Sequence, residues 1–239
     1  DTRGLRSQDL NANYLPSENI RIPVNKENVI SNNIVNSKDA NEIVDEIIIN
    51  IKGQALYKNR LLMLDIIASN EWNRPIYFSG GAFGDEDYIW MKDYLQVEGV
   101  CYKLVPIKTP INPEIPYEMG RVDTEIMYPL VKKWAWGKRK EQEIYYDVES
   151  RKNSITYRGN MIRLASQLIK ENEIVKAEEI LDLAMKKMPI KDFGFYTLLE
   201  PFINSYYKIG KSQKAREMFE EISKKYQENL EYYSNISNE

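Results

Sequence analysis

The stretch best equipped for chemistry is Ser79-Gly80-Gly81-Ala82-Phe83-Gly84. Glycines between a strand and a helix let backbone amides close on an anion at the helix N-terminus. The run lacks the Gly-Lys-Ser/Thr ending of a phosphate loop and the spacing of a dinucleotide fingerprint. Asp85, Glu86 and Asp87 behind it repel phosphate, so a structural turn is the better reading. Those three acids also offer oxygens to a hard cation, but consecutive residues at a helix start point in different directions and no further oxygen-rich loop accompanies them. They suit the first turn of a helix, where carboxylates complement the dipole.

Other reactive groups are scarcer still. The chain has no histidine, and with it goes the side chain most used as a general base near neutral pH and as a metal ligand. Cys101, the single cysteine, lies between Val100 and Tyr102 in an apolar run and reads as a small buried hydrophobe; alone, it excludes an internal disulfide framework. Among thirty-six acids, no pair stands out in an apolar setting as glycoside hydrolysis requires. No catalytic residue, metal ligand or cofactor is therefore named. Binding is better served. Trp134, Trp136, Tyr145 and Tyr146 can stack on sugar or peptide, although core or interface packing explains them as well.

These residues need elements to hold them, and composition bounds what those are. With 43% hydrophobic and 29% charged residues in 239, the chain buries a core and has room for one large domain or two small ones. Thirty-three basic and thirty-six acidic side chains leave a net charge of -3, no electrostatic basis for nucleic acid or an anionic membrane. Apolar runs such as residues 61–68 are interrupted by Asp65 and fall short of the roughly 20 residues that span a bilayer, so no membrane insertion is expected. The start at Asp1, without Met or a signal pattern, reads as a piece of something longer.

Residues 1–19 are polar and form a poorly ordered lead-in. From 20 to 106 the pattern predicts an α/β domain. Residues 20–24 and 47–51 read as strands, with Ile48 turned opposite to Ile47 and Ile49 and both faces buried. Residues 58–70 read as a core helix in which Leu61, Leu64 and Ala68 share a face, flanked by Leu62 and Ile66. A strand over 74–79, a helix from the acids to Leu95 and a strand over 100–105 together suggest a right-handed crossover. Pro106, Pro110, Pro113 and Pro116 open a connector, 107–150, which includes a helix from Asp123 to Trp134 interrupted at Pro129.

The last segment, 151–239, repeats itself. Residues 170–178 align with 208–216 so that Ala177 matches Ala215, an offset of 38 residues against about 34 for a tetratricopeptide unit. Leu164, Ala165, Leu168, Leu181 and Ala184 fill the small and large positions of the first unit; Phe202, Ile203, Tyr206 and Phe219 fill those of the second. The alanines let antiparallel helices approach, and Leu181 and Phe219 fill the groove beside them. The concave side then carries Ile162, Ser166, Ile169, Glu200, Asn204 and Tyr207. Of these, Ser166, Glu200, Asn204 and Tyr207 are the candidate ligand or peptide contacts, unless that face is solvated or packed on another domain. The fold class is α+β: an N-terminal α/β layer with a small sheet, then a tetratricopeptide-like helical hairpin pair.

Three further stretches carry a family resemblance: residues 62–78, ending in Arg74-Pro75-Ile76-Tyr77-Phe78; Tyr102-Lys103-Leu104-Val105-Pro106; and residues 120–128, from Gly120-Arg121-Val122-Asp123 to Tyr128. With the repeats, they resemble the C-terminal part of bacterial multi-pass membrane proteins grouped with protein O-mannosyltransferase-like glycosyltransferases. The resemblance runs from about residue 20 onward. It implies a parent enzyme that transfers sugar from a lipid-linked donor to protein, with catalytic acids in a membrane part outside this sequence. This chain would be its periplasmic accessory domain, with its own transmembrane domain and an acceptor polypeptide as partners. The alternative is a free-standing tetratricopeptide adaptor for a partner protein; a soluble enzyme built on the glycine turn is a third reading.

Overall fold

The computed structural model describes residues 17–51, 56–79, 89–112, 119–136 and 145–236. Residues 1–16, the glycine run from Gly80 with its three acids, and Pro113 and Pro116 lie outside them. The chain divides into two compact units, Asp1–Val97 with Cys101–Arg121 and Glu98–Val100 with Val122–Glu239. Small antiparallel sheets in the first and helices in the second make the fold α+β.

In the first unit, β1 (Asn19–Pro23) pairs antiparallel with β2 (Glu46–Asn50), Ile20 opposite Ile49 and Ile22 opposite Ile47. The strand period of two turns Ile22, Ile47 and Ile49 into the core and leaves Ile48 40% exposed. The expected burial of this strand on both faces is thus corrected: a two-stranded ribbon has one core face. Between the strands, α1 (Lys26–Ser31) begins at Asn25, whose side chain accepts the Asn28 N–H. Then α2 (Lys58–Ser69) forms where expected but presents a different face. Leu64 and Ile67 are buried, whereas Leu61, Leu62 and Ile66 are exposed. Apolar residues lie all round this helix, so periodicity alone did not select the inward stripe.

The second sheet has the order β3-β5-β4, from β3 (Tyr77–Ser79), β4 (Leu95–Glu98) and β5 (Cys101–Leu104). Because β3 runs antiparallel to β5, Tyr77 opposite Lys103, the expected crossover is overturned; a crossover joins parallel strands. The residues assigned to the end of its helix divide instead into a 3-10 turn, Ile89–Tyr94, and β4. Gly99, at φ +69°, then turns the chain directly into β5. Pro106 and Ile107 belong to this unit as well: the Pro106 carbonyl accepts the Val44 N–H, and Ile107 bridges Ile43.

In the second unit, α3 (Thr124–Lys132) starts at Asp123, which accepts the Glu125 N–H, and continues through Pro129. Helix α4 (Val148–Lys170) is capped by Asp147 on the Ser150 amide and packs along α5 (Ile174–Lys187). A short α6 (Ile190–Phe193) and a 3-10 turn, Tyr196–Leu198, lead to α7 (Glu200–Lys208), which packs on α8 (Ser212–Ile236). Ala165, Ala177, Ala184 and Ala215 are fully buried, the small side chains that let helix backbones close up. Leu181 is buried as expected. Phe219 is 58% exposed, so its assignment to the groove is corrected; Met218 and Ile222 take the inward positions of α8. No helix among the described residues is long and apolar enough to cross a membrane.

Candidate functional site

The residues that carry the resemblance serve as parts of the scaffold. After α2, Glu71 and Trp72 both adopt left-handed backbone, φ +46° and +62°, which costs a non-glycine residue of the order of 1–3 kcal/mol. Side chains hold them there: Asn28 Nδ2 donates to the Glu71 carbonyl at 2.8 Å, Asn32 Nδ2 to the Trp72 carbonyl at 3.2 Å, and Asn70 Nδ2 to that of Arg74 at 2.7 Å. The strained turn buries the Trp72 indole beside Ile34, Ile67 and Leu104, with Nε1 donating to the Pro23 carbonyl. That depression is too tight for a small molecule.

The Gly120–Tyr128 stretch is equally occupied. Gly120 sits at φ +78° with the Leu95 carbonyl oxygen 2.7 Å from where a Cβ would be. Arg121 N–H donates to that same carbonyl, and its guanidinium meets Asp39 at 2.6 Å, a pair shielded from water. Thr124 donates to Glu171, Met127 sulfur accepts the Gly99 N–H, and the Tyr128 hydroxyl donates to Glu179. Burial, reinforced by that carboxylate, pushes the Tyr128 hydroxyl up to about 12.

The helical unit holds a polar network that sequence reading missed. On α5, Glu178 accepts from Lys211 and Lys214, and Asp182 accepts from Lys214 at 2.6 Å and from the buried Tyr206 hydroxyl at 2.8 Å. The lysines hold Glu178 below the ordinary glutamate value, Lys214 foremost. Burial pulls Lys214 down, but Asp182 and Glu178 outweigh it and raise it. Burial, with Asp182 behind it, raises Tyr206. The available signal was acids four residues apart on α5 set against lysines three apart at the start of α8. Arg158 was also missed: buried in α4, it donates to the carbonyls of Met188 and Gly194, and burial pulls it down to about 10 against the opposing charge of Glu221.

The four candidate contacts separate by exposure. Glu200, Asn204 and Tyr207 stand on one exposed stripe of α7, spaced four and three residues apart, with Phe202, Ile203, Ser205 and Tyr206 buried beneath. Ser166, on the adjoining helix α4, is half-buried, as is Ile169; Ile162 is buried and belongs to the packing. An amide, a carboxylate and a phenol in a row supply donors and acceptors for an extended backbone and a ring for its side chains. The aromatic residues fall into two groups. Trp134, Trp136 and Tyr157 pack edge to face or tilted at 5.0–5.9 Å, and Tyr146 packs on Phe193 at 4.6 Å, while Tyr145 is exposed beside Arg151. Cys101 is half-buried on β5, and among the described residues no group of three or more Cys, Asp or Glu side chains is placed to hold a metal.

The family model described as TMEM260-associated domain 2 matches residues 2–126, just over half of the 239-residue chain. The match spans the first unit and runs into the start of α3. No curated protein and no solved structure matches the chain significantly.

Proposed function

From the chain's membership of the TMEM260-associated domain 2 family, we propose that it is a non-catalytic, extracytoplasmic accessory domain of a membrane-bound, protein O-mannosyltransferase-like glycosyltransferase. On this reading TMEM260, for which the family is named, is a protein O-mannosyltransferase. The observation that carries the reading is that the matched unit commits Trp72, Pro106 and Arg121 to a turn, a strand tie and a buried ion pair. In this reading the reacting groups and the lipid-linked sugar lie in the membrane partner. The helical hairpins, taken as tetratricopeptide-like, hold the acceptor polypeptide along Glu200, Asn204 and Tyr207, with Ser166 at the margin.

Titration calorimetry of unstructured secreted-protein segments against the chain tests this. Micromolar binding that disappears in an Asn204→Ala, Tyr207→Ala double variant supports acceptor holding; no binding to any segment reduces the domain to a brace. Nucleotide sugars and divalent cations should leave the melting temperature unchanged. A ligand at a hundred times its dissociation constant would add about 2.7 kcal/mol, and such a shift would contradict the non-catalytic reading.

A further inference from the structure

The offset of 38 residues gives each position of α5 a counterpart on α8. Inward positions behave alike: Ala177 and Ile180 are buried, and so are Ala215 and Met218. Outward positions do not. Leu181 and Met188 are 0% and 3% exposed, while their counterparts Phe219 and Tyr226 are 58% and 45% exposed. On α5 the cover is helical: Tyr206 of α7 reaches Asp182, the residue next to Leu181, and α7 packs along α5. On α8 the same surface stays largely exposed, with the Tyr196 ring set edge to face against Tyr226 at 5.0 Å.

What fits that surface can be read from α8 itself. Phe219, Tyr226, Leu230 and Tyr233 are exposed and spaced seven, four and three residues apart, the seam by which one helix accepts another. One flank of the seam carries Arg216, Glu220, Lys224 and Glu231, all exposed and alternating in sign from the N-terminal end. Read backwards, the alternation inverts. An antiparallel copy therefore sets Arg216 near Glu231 of the second copy, Glu220 near its Lys224 and Phe219 near its Tyr226, each contact made twice. The geometry points to a second copy of this chain as the occupant: two molecules pair through antiparallel α8 helices. This pairing does not depend on the acceptor-holding reading.

Sedimentation of the whole chain over a wide concentration range tests the pairing. A reversible dimer is expected, weakened by added salt because the flanking charges are exposed. Glu220→Lys and Lys224→Glu should each weaken it on the order of tenfold, about 1.4 kcal/mol. An equimolar mixture of the two variants should recover it, since each then meets its opposite. Phe219→Ser should give a monomer with an unchanged far-ultraviolet circular dichroism spectrum, which separates loss of pairing from loss of fold. A protein monomeric at every concentration overturns the inference, as does a dimer indifferent to Phe219→Ser. A monomer whose α8 amides gain exchange protection only on phosphatidylcholine vesicles overturns it in favour of a lipid surface.

Discussion

The first unit closes over β-branched aliphatics: Ile22, Val29, Ile34, Ile43, Ile47 and Ile49 are all buried, with Arg121–Asp39 as a shielded ion pair at their edge. The second buries isoleucines too, but mixes them with alanine, leucine and methionine and adds polar ties between helices, from Arg158 to two carbonyls and from Tyr206 and Lys214 to Asp182. The difference follows from geometry. Strands stack side chains on a flat face, where branching at Cβ packs well. Helices that approach closely need small residues at the crossing and leave room at its rim for long polar side chains. The first unit should therefore respond chiefly to shape, the second to shape, charge and pH.

The largest effect is expected at Phe202, the bulkiest fully buried side chain of the helical unit. Phe202→Ala should cost about 3–5 kcal/mol, the range for emptying an aromatic core site, read as a lower urea midpoint. A loss below about 1 kcal/mol would mean that α7 collapses into the space, and the helical core would then be looser than its burial implies. Next comes Gly120→Ala in the first unit. Left-handed backbone costs a residue with a Cβ about 1–2 kcal/mol. The new Cβ also displaces the Leu95 carbonyl, and losing its bond from the Arg121 N–H adds about 1 kcal/mol. Retained stability in Gly120→Ala would show that this close approach gives way.

Arg158→Met tests the polar ties. It removes the donors of the Met188 and Gly194 carbonyls, and each such loss costs about 1–3 kcal/mol. Relief from burying a charge offsets part of that, so a net loss of about 1–3 kcal/mol in urea unfolding is expected. A variant as stable as the parent would leave the helical unit resting on apolar packing, like the first.

How much of this was legible follows the same division. The alanines of both hairpins, the strands around Ile22 and Ile47 and the turn at Gly99 were readable because period and glycine mark them locally. Strand direction was not. Residues 89–98 carry the same apolar spacing whether they continue a helix or divide into a 3-10 turn and β4, and only pairing with β5 decides. The face of α2 was unreadable because Leu61, Leu62, Leu64 and Ile67 give it no single apolar side. At the candidate site, the α7 stripe followed from helical spacing. Arg158 and the Lys214 network did not, since an arginine bonded to carbonyls and a lysine bonded across helices look in sequence like solvated charges.

Acid should separate the units more gently. The lysine bonds to Glu178 and Glu179 hold both carboxylates below the ordinary value of 4.5, Lys214 first for the former and Lys132 for the latter. A depressed carboxylate binds its proton less readily folded than unfolded, so its contribution is complete above about pH 4.5 and is lost as pH falls through the folded value. In the first unit Asp45 is held down by Lys26 in the same way, but at a fully exposed position. Urea unfolding followed by circular dichroism should therefore find the parent more stable than Glu178→Gln at neutral pH, with the gap closing as pH falls through the folded carboxylate value, because the glutamine has no proton to gain. A gap that does not change with pH would remove Glu178 from the account.

The smallest effect on stability is expected from the Asn204→Ala, Tyr207→Ala pair, which is why it serves as the probe of binding. Both side chains are exposed on α7, and the hydroxyl that ties this helix to α5 belongs to Tyr206, not Tyr207. Exposed substitutions away from caps and buried networks usually fall within about 0.5 kcal/mol. Alanine also favours the helix, which counters the area lost at Tyr207. The variant should melt with the parent and differ only towards acceptor segments. A drop of several kcal/mol would instead mean that the stripe is part of the packing, with α7 bound on both sides. The contrast between a buried, tied inner face and an open outer one would then fail at the helix where it is drawn most sharply.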